Sequence, residues 1–348
     1  MRRTALVIGA LLLAGCPKSG GGESKPDVQA AKPDASAPAK SPPRARIPNT
    51  LLGGERGIDH VGVAVKDLAA AQKTYHEKLG FSRPTRGRLP NGLDNVNYYF
   101  EDATYLETLT YYDDKKAKWL AYFLGKFGEG GNFLVLSVRS IDATARFLEA
   151  RGVSMSKPHL GSIRVKGKRG GSWRTLFFKK SPLPGAPVYF IGYPRKRRAR
   201  FLRKLQSPRV RQRYFAHENG ALGIKAVWMA VNDLEAAAKG YEKIGLARGR
   251  AIEHAKLGAR GIELAAGIGK ILLLAPAKKG KGAVAKFLAR RPPGVLGMSI
   301  LVKDLEAARA LINKRNKTKL KVYDGPLGKS VLVPAKLAHH TYLELFSR

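Results

Sequence analysis

Three kinds of side chain in this 348-residue sequence could do chemistry. The first is a single thiol, Cys16, which follows a positive start at Arg2 and Arg3, an apolar run from Ala5 to Leu13, and the small residues Ala14 and Gly15. A lone cysteine cannot close a disulfide within its own chain. The second is the imidazole of His60, at the head of the alternating run His60-Val61-Gly62-Val63-Ala64-Val65. Successive side chains of a strand face opposite sides, so Val61, Val63 and Val65 form an apolar row while His60, Gly62 and Ala64 face the other way. An imidazole aimed into a pocket can bind a metal or move a proton. The third is a basic run: Arg195, Lys196, Arg197, Arg198, Arg200, Arg203, Lys204, Arg209, Arg211 and Arg213 place ten positive charges together with no acid among them. Such a run repels itself unless an anion is near.

What must position these groups begins with the N-terminus. Nine apolar residues are too few to span a bilayer, so residues 1–15 read as a secretory signal peptide. Leu13-Ala14-Gly15-Cys16 resembles the bacterial lipobox, which implies lipidation of Cys16, with cleavage before it and acylation by chains such as palmitate. Burial of about 0.8 kcal/mol per methylene over several chains anchors a protein stably. Pro17, where an Asp would signal retention, points to the outer membrane, on its periplasmic or its cell-surface face. Residues 16–50, rich in Gly, Pro, Ala, Ser and Lys, have little to bury and read as a disordered tether. Beyond them, the remaining length and a 44% hydrophobic content suit two domains with real cores.

An internal repeat organises the rest. Four segments share an apolar strand, an acidic turn and an Ala-rich amphipathic helix: His60 to Asp67, Phe133 to Asp142, Ala226 to Asp233, and Gly297 to Asp304. Each Asp is expected to cap its helix by accepting from free backbone N–H groups. Segments readable as three further strands follow each helix, as in Asn95 to Phe100 and Tyr105 to Tyr111. Capping acids 75, 91 and 71 residues apart pair the units two by two, with the longer interval in the middle. The fold class is therefore α+β: four βαβββ units paired into two tandem domains, residues 51–194 and 223–348, joined by a basic linker over 195–222.

Ile58-Asp59-His60-Val61-Gly62-Val63-Ala64-Val65, running into Leu79-Gly80-Phe81, resembles the vicinal oxygen chelate (VOC) superfamily, and its glyoxalase-like branch in particular. Asn95 in Gly92-Leu93-Asp94-Asn95, the turn Gly170-Gly171-Ser172-Trp173-Arg174, and His217-Glu218-Asn219-Gly220-Ala221 carry the same likeness. The resemblance implies tandem glyoxalase-like domains in which two units form a cupped sheet around a divalent metal and substrate. It further implies ligands from the first and last strands of each unit. His60 and Glu107 are the candidates in the first domain, as metal ligands for Zn, Fe or Mn or as catalytic residues, and Glu344 is the lone candidate in the second. The other first-strand cup positions, Phe133, Ala226 and Gly297, cannot bind a metal. Catalytic zinc sites need three protein ligands, and iron oxygenase sites two His and a carboxylate, so the set is incomplete unless His76, His159 or His217 closes it from a loop. Without metal, Glu107 could still polarise His60 for proton transfer. Asn95, Tyr98, Tyr99, Tyr105, Tyr111, Trp173, Arg174 and His217 are candidates to line a ligand pocket.

Three functions follow as expectations. A small-molecule binder would use the first cup without full metal chemistry. A lyase, isomerase or dioxygenase would use His60 and Glu107, as the resemblance implies. A surface protein would hold anionic lipid or lipopolysaccharide through residues 195–213, each basic residue contributing about 1 kcal/mol before screening. No nucleic acid is expected as a partner, because no nucleic-acid fold is recognisable.

Overall fold

The computed structural model describes residues 52, 56–165, 168–194, 203 and 207–347. Residues 1–50, where a signal peptide, lipidation of Cys16 and a tether are expected, and most of the basic run at 195–206 lie outside the described residues.

The first half of the chain runs β1 (Gly57–Ala64), α1 (Leu68–Gln72, continued by a π-helical turn Lys73–Lys78), β2 (Thr85–Arg88), β3 (Leu93–Tyr99), β4 (Tyr105–Tyr111) and α2 (Lys118–Phe127). It continues with β5 (Gly130–Ser137), α3 (Ile141–Glu149), β6 (His159–Val165), β7 (Lys168–Leu176) and β8 (Val188–Gly192). After α4 (Pro208–Tyr214), the second half repeats the plan with β9 (Ala221–Ala230), α5 (Leu234–Lys243), β10 (Ala247–His254), β11 (Ala259–Ala266), β12 (Gly269–Pro276) and α6 (Gly282–Leu288). It closes with β13 (Gly294–Val302), α7 (Leu305–Asn316), β14 (Val322–Gly325), β15 (Gly328–Val333) and β16 (Tyr342–Phe346).

Each half is one eight-stranded sheet, ordered β2-β3-β4-β1-β5-β8-β7-β6 and β10-β11-β12-β9-β13-β16-β15-β14. Within a unit the first and last strands pair in parallel (β1 with β4, β5 with β8), and the two units meet through the antiparallel pair β1/β5. The second sheet repeats this around β9/β13. The four-unit α+β plan is therefore the fold of the protein.

One face of each sheet packs on α1, α3, α5 and α7. There Val61, Val63 and Val65 meet Leu68, Ala71 and Tyr75, and Val227 and Met229 meet Leu234, Ala237 and Tyr241, in one continuous core. Asp67, Asp233 and Asp304 cap their helices, each accepting from a backbone N–H in the first turn, a contribution of about 1 kcal/mol apiece. The second unit corrects the expectation. Its cap is Ser140, and Asp142 sits in the first turn of α3, where it pairs with Arg174 instead.

Two helices absent from the strand-helix-three-strand unit, α2 and α6, follow the last strands of the first and third units. They lie on the concave faces. Leu120 and Leu124 of α2 join Phe133, Val135, Trp173 and Tyr189 in the first cup, and Val284 of α6 joins Trp228, Leu272 and Leu296 in the second. Both cups are lidded.

Candidate functional site

Register places the candidate residues on the first sheet. Tyr99, Tyr105, His60, Val135 and Tyr189 form one row across β3, β4, β1, β5 and β8, and Asn97, Glu107, Gly62 and Phe133 form the next. His60 and Glu107 thus face the same concavity one row apart, with Nε2 of His60 3.4 Å from Oε2 of Glu107 and neither side chain exposed. Asn95 donates from Nδ2 to Oε1 of Glu107 at 2.6 Å. Tyr105 stacks on the imidazole with ring centroids 4.2 Å apart.

A bulge adds a partner that parity hides. Ile58 pairs with Leu136 and His60 with Val135, so Asp59 is the extra residue on β1. Such an insertion re-aims side chains, and the Asp59 carboxylate turns to the imidazole, with Oδ1 2.6 Å from Nδ1 of His60. Tyr193 donates its hydroxyl to the same Asp59 oxygen at 3.0 Å. The result is two hydrogen-bonded sets, Tyr193–Asp59–His60 and Asn95–Glu107, whose facing atoms, Nε2 of His60 and Oε2 of Glu107, stand 3.4 Å apart without a hydrogen bond between them. Burial drives the Glu107 carboxyl up to about 7 against the opposing pull of His60 and the Asn95 hydrogen bond. Burial also holds the hydroxyls of Tyr105 and Tyr189 protonated.

Several polar atoms of this cup have no hydrogen-bond partner among the described residues: Nε2 of His60, Oε2 of Glu107, Oδ1 of Asn97, Oγ1 of Thr175, and the hydroxyls of Tyr105 and Tyr189. Native interiors leave few such groups, and a cluster calls for an explanation. They are sealed by α2 and the aromatic packing, with His60 and Glu107 wholly inaccessible.

The donor set does not fit a metal ion. His60 and Glu107 supply two ligands, but the matching positions across the cup are Phe133 and Tyr189. The Phe133 ring lies over Gly62, so close that a Cβ there would stand 2.1 Å from it. Tyr189 keeps its proton, which makes it a poor ligand. Among the described residues no three His, Cys, Asp or Glu side chains converge as a metal cluster.

The proposed third donors are engaged elsewhere. Nδ1 of His76 meets the Phe81 carbonyl at 2.7 Å, and His159 stacks edge-on against Phe177. His217 is a clip outside the cup: Nδ1 accepts from the Ser82 backbone N–H at 2.8 Å, Nε2–H donates to the Tyr99 carbonyl at 3.0 Å, and burial lowers its pKa to about 4. Two other expected pocket residues also lie elsewhere. Tyr98 points to the helix-covered core against Tyr75 and Phe81, because it is one residue out of phase with Asn97. Arg174 faces Asp142 at the surface, with a 2.9 Å bond from Nη2. Tyr111 is exposed at the end of β4, whereas Trp173 is buried in the cup and Tyr99 packs on Tyr105.

In the second cup Glu344 is fully buried and accepts from Ser299 Oγ at 2.7 Å and from the Tyr323 hydroxyl. Trp228 donates from Nε1 to Ser299 at 2.9 Å. His254, at the end of β10, lies 3.6 Å from Glu344. Burial raises the pKa of Glu344 and lowers that of His254 to about 4. His254 was not a sequence candidate, because it lies on neither the first nor the last strand of its unit. Asp59 and Tyr189 were missed for other reasons: a bulge, and an aromatic side chain that looks like any core residue.

A family profile described as a glyoxalase-like domain matches residues 58–245. No curated protein matches the sequence. Among solved structures, a triple mutant of 4-hydroxymandelate synthase from Streptomyces coelicolor is 13% identical with a TM-score of 0.61, covering 84% of this chain and 92% of its own. A hypothetical protein from Staphylococcus aureus is 12% identical with a TM-score of 0.57, covering 84% and 99%. The Mn(II)-bound glyoxalase from Novosphingobium aromaticivorans is 12% identical with a TM-score of 0.49, covering 84% and 81%.

Proposed function

The chain belongs to the glyoxalase-like domain family, and from that premise we propose that it is a lipid-anchored binding protein whose first cup takes a small organic molecule without a metal. The observation that carries this is the cluster of partnerless polar atoms on His60, Glu107, Asn97, Thr175, Tyr105 and Tyr189 in one concavity. Each buried group left unpaired costs about 1–3 kcal/mol, so the closed cup is penalised, and a guest that satisfies these atoms recovers the difference. Tyr105 and Tyr189 can donate, Nε2 of His60 can accept, and Glu107 does either according to its proton. Aromatic walls around them suit a flat molecule bearing hydroxyl or carbonyl groups.

Entry requires α2 to lift. This helix is tied at its C-terminus by Gly128 (φ +70°), a conformation that favours glycine, and it exposes Tyr122 outward. The metal-dependent reading, a lyase, isomerase or dioxygenase built on His60 and Glu107, lacks the remaining ligands at Phe133 and Tyr189. Anchoring through Cys16, an outer-membrane address, and contact of residues 195–213 with anionic lipid or lipopolysaccharide are further parts of the proposal, supported by the sequence features alone.

Phenol serves as the probe. It should raise the melting temperature saturably and slow amide exchange in residues 118–127, and both effects should vanish when Glu107→Leu and Tyr189→Phe are combined. Unaltered exchange and melting at saturating phenol and at saturating 4-hydroxybenzyl alcohol would remove the support for a gated cup.

A further inference from the structure

A second crevice lies between the two lids. It holds about 110 Å³ and is lined by Phe123 of α2, Phe287 of α6, Asn132, Pro187, Arg291 and Pro293, among others. Its polar groups are unusual. Gly62 pairs with Phe133 and Val63 with Gly131, so Asn132 is the extra residue of a bulge on β5, and bulges of this kind gather beside functional sites. Asn132 is only 2% exposed, and its Oδ1 is buried with no partner. Arg291 donates from Nη2 to the Phe127 carbonyl at 2.6 Å and to the Glu129 carbonyl, while its Nη1 is buried without a partner. Its guanidinium carbon sits 5.7 Å from the ring centroids of both Phe123 and Phe287. No acidic side chain pairs with it among the described residues, and burial lowers its pKa.

We propose that this crevice binds a small aliphatic carboxylate, its head group held by Arg291 and the Asn132 amide and its tail among Phe123, Pro187, Phe287 and Pro293. A half-buried cation without a counter-charge asks for an anion. A planar guanidinium beside an amide offers the N–H pattern of a carboxylate site, and amide oxygen and nitrogen exchange places by a simple flip. Phosphate is disfavoured, since one cation and apolar walls would leave its further oxygens and charge unpaired. A cavity of about 150 Å³ accommodates benzene, so this one suits an acid of roughly three or four carbons. The site is separate from the first cup and does not depend on what that cup holds.

The full-length chain is titrated with sodium propionate against sodium chloride at matched ionic strength, and with 1-propanol. Propionate should give a saturable rise in melting temperature that chloride and propanol do not. Asn132→Asp keeps the side-chain size but places a negative charge against the ligand, and should weaken propionate at least tenfold. Arg291→Lys keeps the charge but loses the fork, and should do the same. The proposal is overturned by no saturable response in the parent protein, by an equal response to chloride, or by unchanged affinity in Asn132→Asp.

Discussion

Replacing Glu107 with Gln tests how charge is distributed in the first cup. Burial moves this carboxyl from an ordinary 4.5 up to about 7. A group whose folded pKa is raised binds its proton more tightly in the native state than in the unfolded one, so its contribution is complete below 4.5 and disappears as pH climbs through 7. At 1.36 kcal/mol per pH unit the difference amounts to about 3 kcal/mol. Gln keeps the shape, can accept from Asn95 where Oε1 now accepts at 2.6 Å, and can donate to Nε2 of His60, with no charge to desolvate. Urea unfolding of the two proteins at pH 4.5, 6, 7 and 8 should give stabilities that nearly coincide at pH 4.5, differ by about 2 kcal/mol at pH 6 and level off above pH 7, with Glu107→Gln the more stable by about 3 kcal/mol at pH 8. Parallel pH profiles, or a variant weaker than the parent at pH 8, would refute the reasoning. Either would mean that burial does not hold the proton on Glu107.

Other perturbations probe neighbouring parts of the structure. Gly62→Ala forces a methyl group against the buried Phe133 ring and should cost about 1–3 kcal/mol by overpacking, seen as a lowered melting temperature. His217, with its pKa lowered to about 4 by burial, should stay neutral in the folded protein at pH 5; because a depressed pKa withdraws stability as pH falls from 6.5 towards 4, NMR titration of its ring should show no transition near 6.5. Trp228→Phe removes the Nε1 donor to Ser299 and should cost about 1–2 kcal/mol in denaturant unfolding, with Glu344 still held by Ser299 and Tyr323. Cys16→Ser should move the chain from the membrane pellet to the soluble fraction; persistence in the pellet after a high-salt wash would count against the lipid anchor.

The fold was legible because its unit repeats. Apolar rows such as Val61, Val63 and Val65, each followed by a capping Asp or Ser and an amphipathic helix, specify strand faces and helix starts by local physics alone. The fourfold recurrence then fixes the pairing. Parity aimed His60 at the cup and the family resemblance pointed to Glu107 and Asn95; the regular pairing of β3 with β4 brings the three together. Parity failed where the strand is irregular. Asp59 and Asn132 each sit at a bulge, which the sequence marks with nothing stronger than a polar residue in an apolar run. It failed too where a long-range packing choice decides, as with α2, whose Leu120 and Leu124 close over the first cup outside the repeated unit. Ser140, rather than Asp142, caps α3 because it follows Phe133 by seven residues, the offset at which Asp67, Asp233 and Asp304 follow His60, Ala226 and Gly297, and the freed acid is taken by Arg174. His254 reaches Glu344 from an edge strand, a contact that no spacing rule announces.

Native mass spectrometry of the intact chain tests the account's centre most directly. After incubation with Mn(II), Zn(II) and Fe(II) followed by dialysis, the protein should retain no metal, and phenol should add as one organic guest that is lost in Glu107→Leu. One metal ion held per chain in the parent and released by His60→Ala would contradict the account and mean that a coordination sphere closes in the first cup.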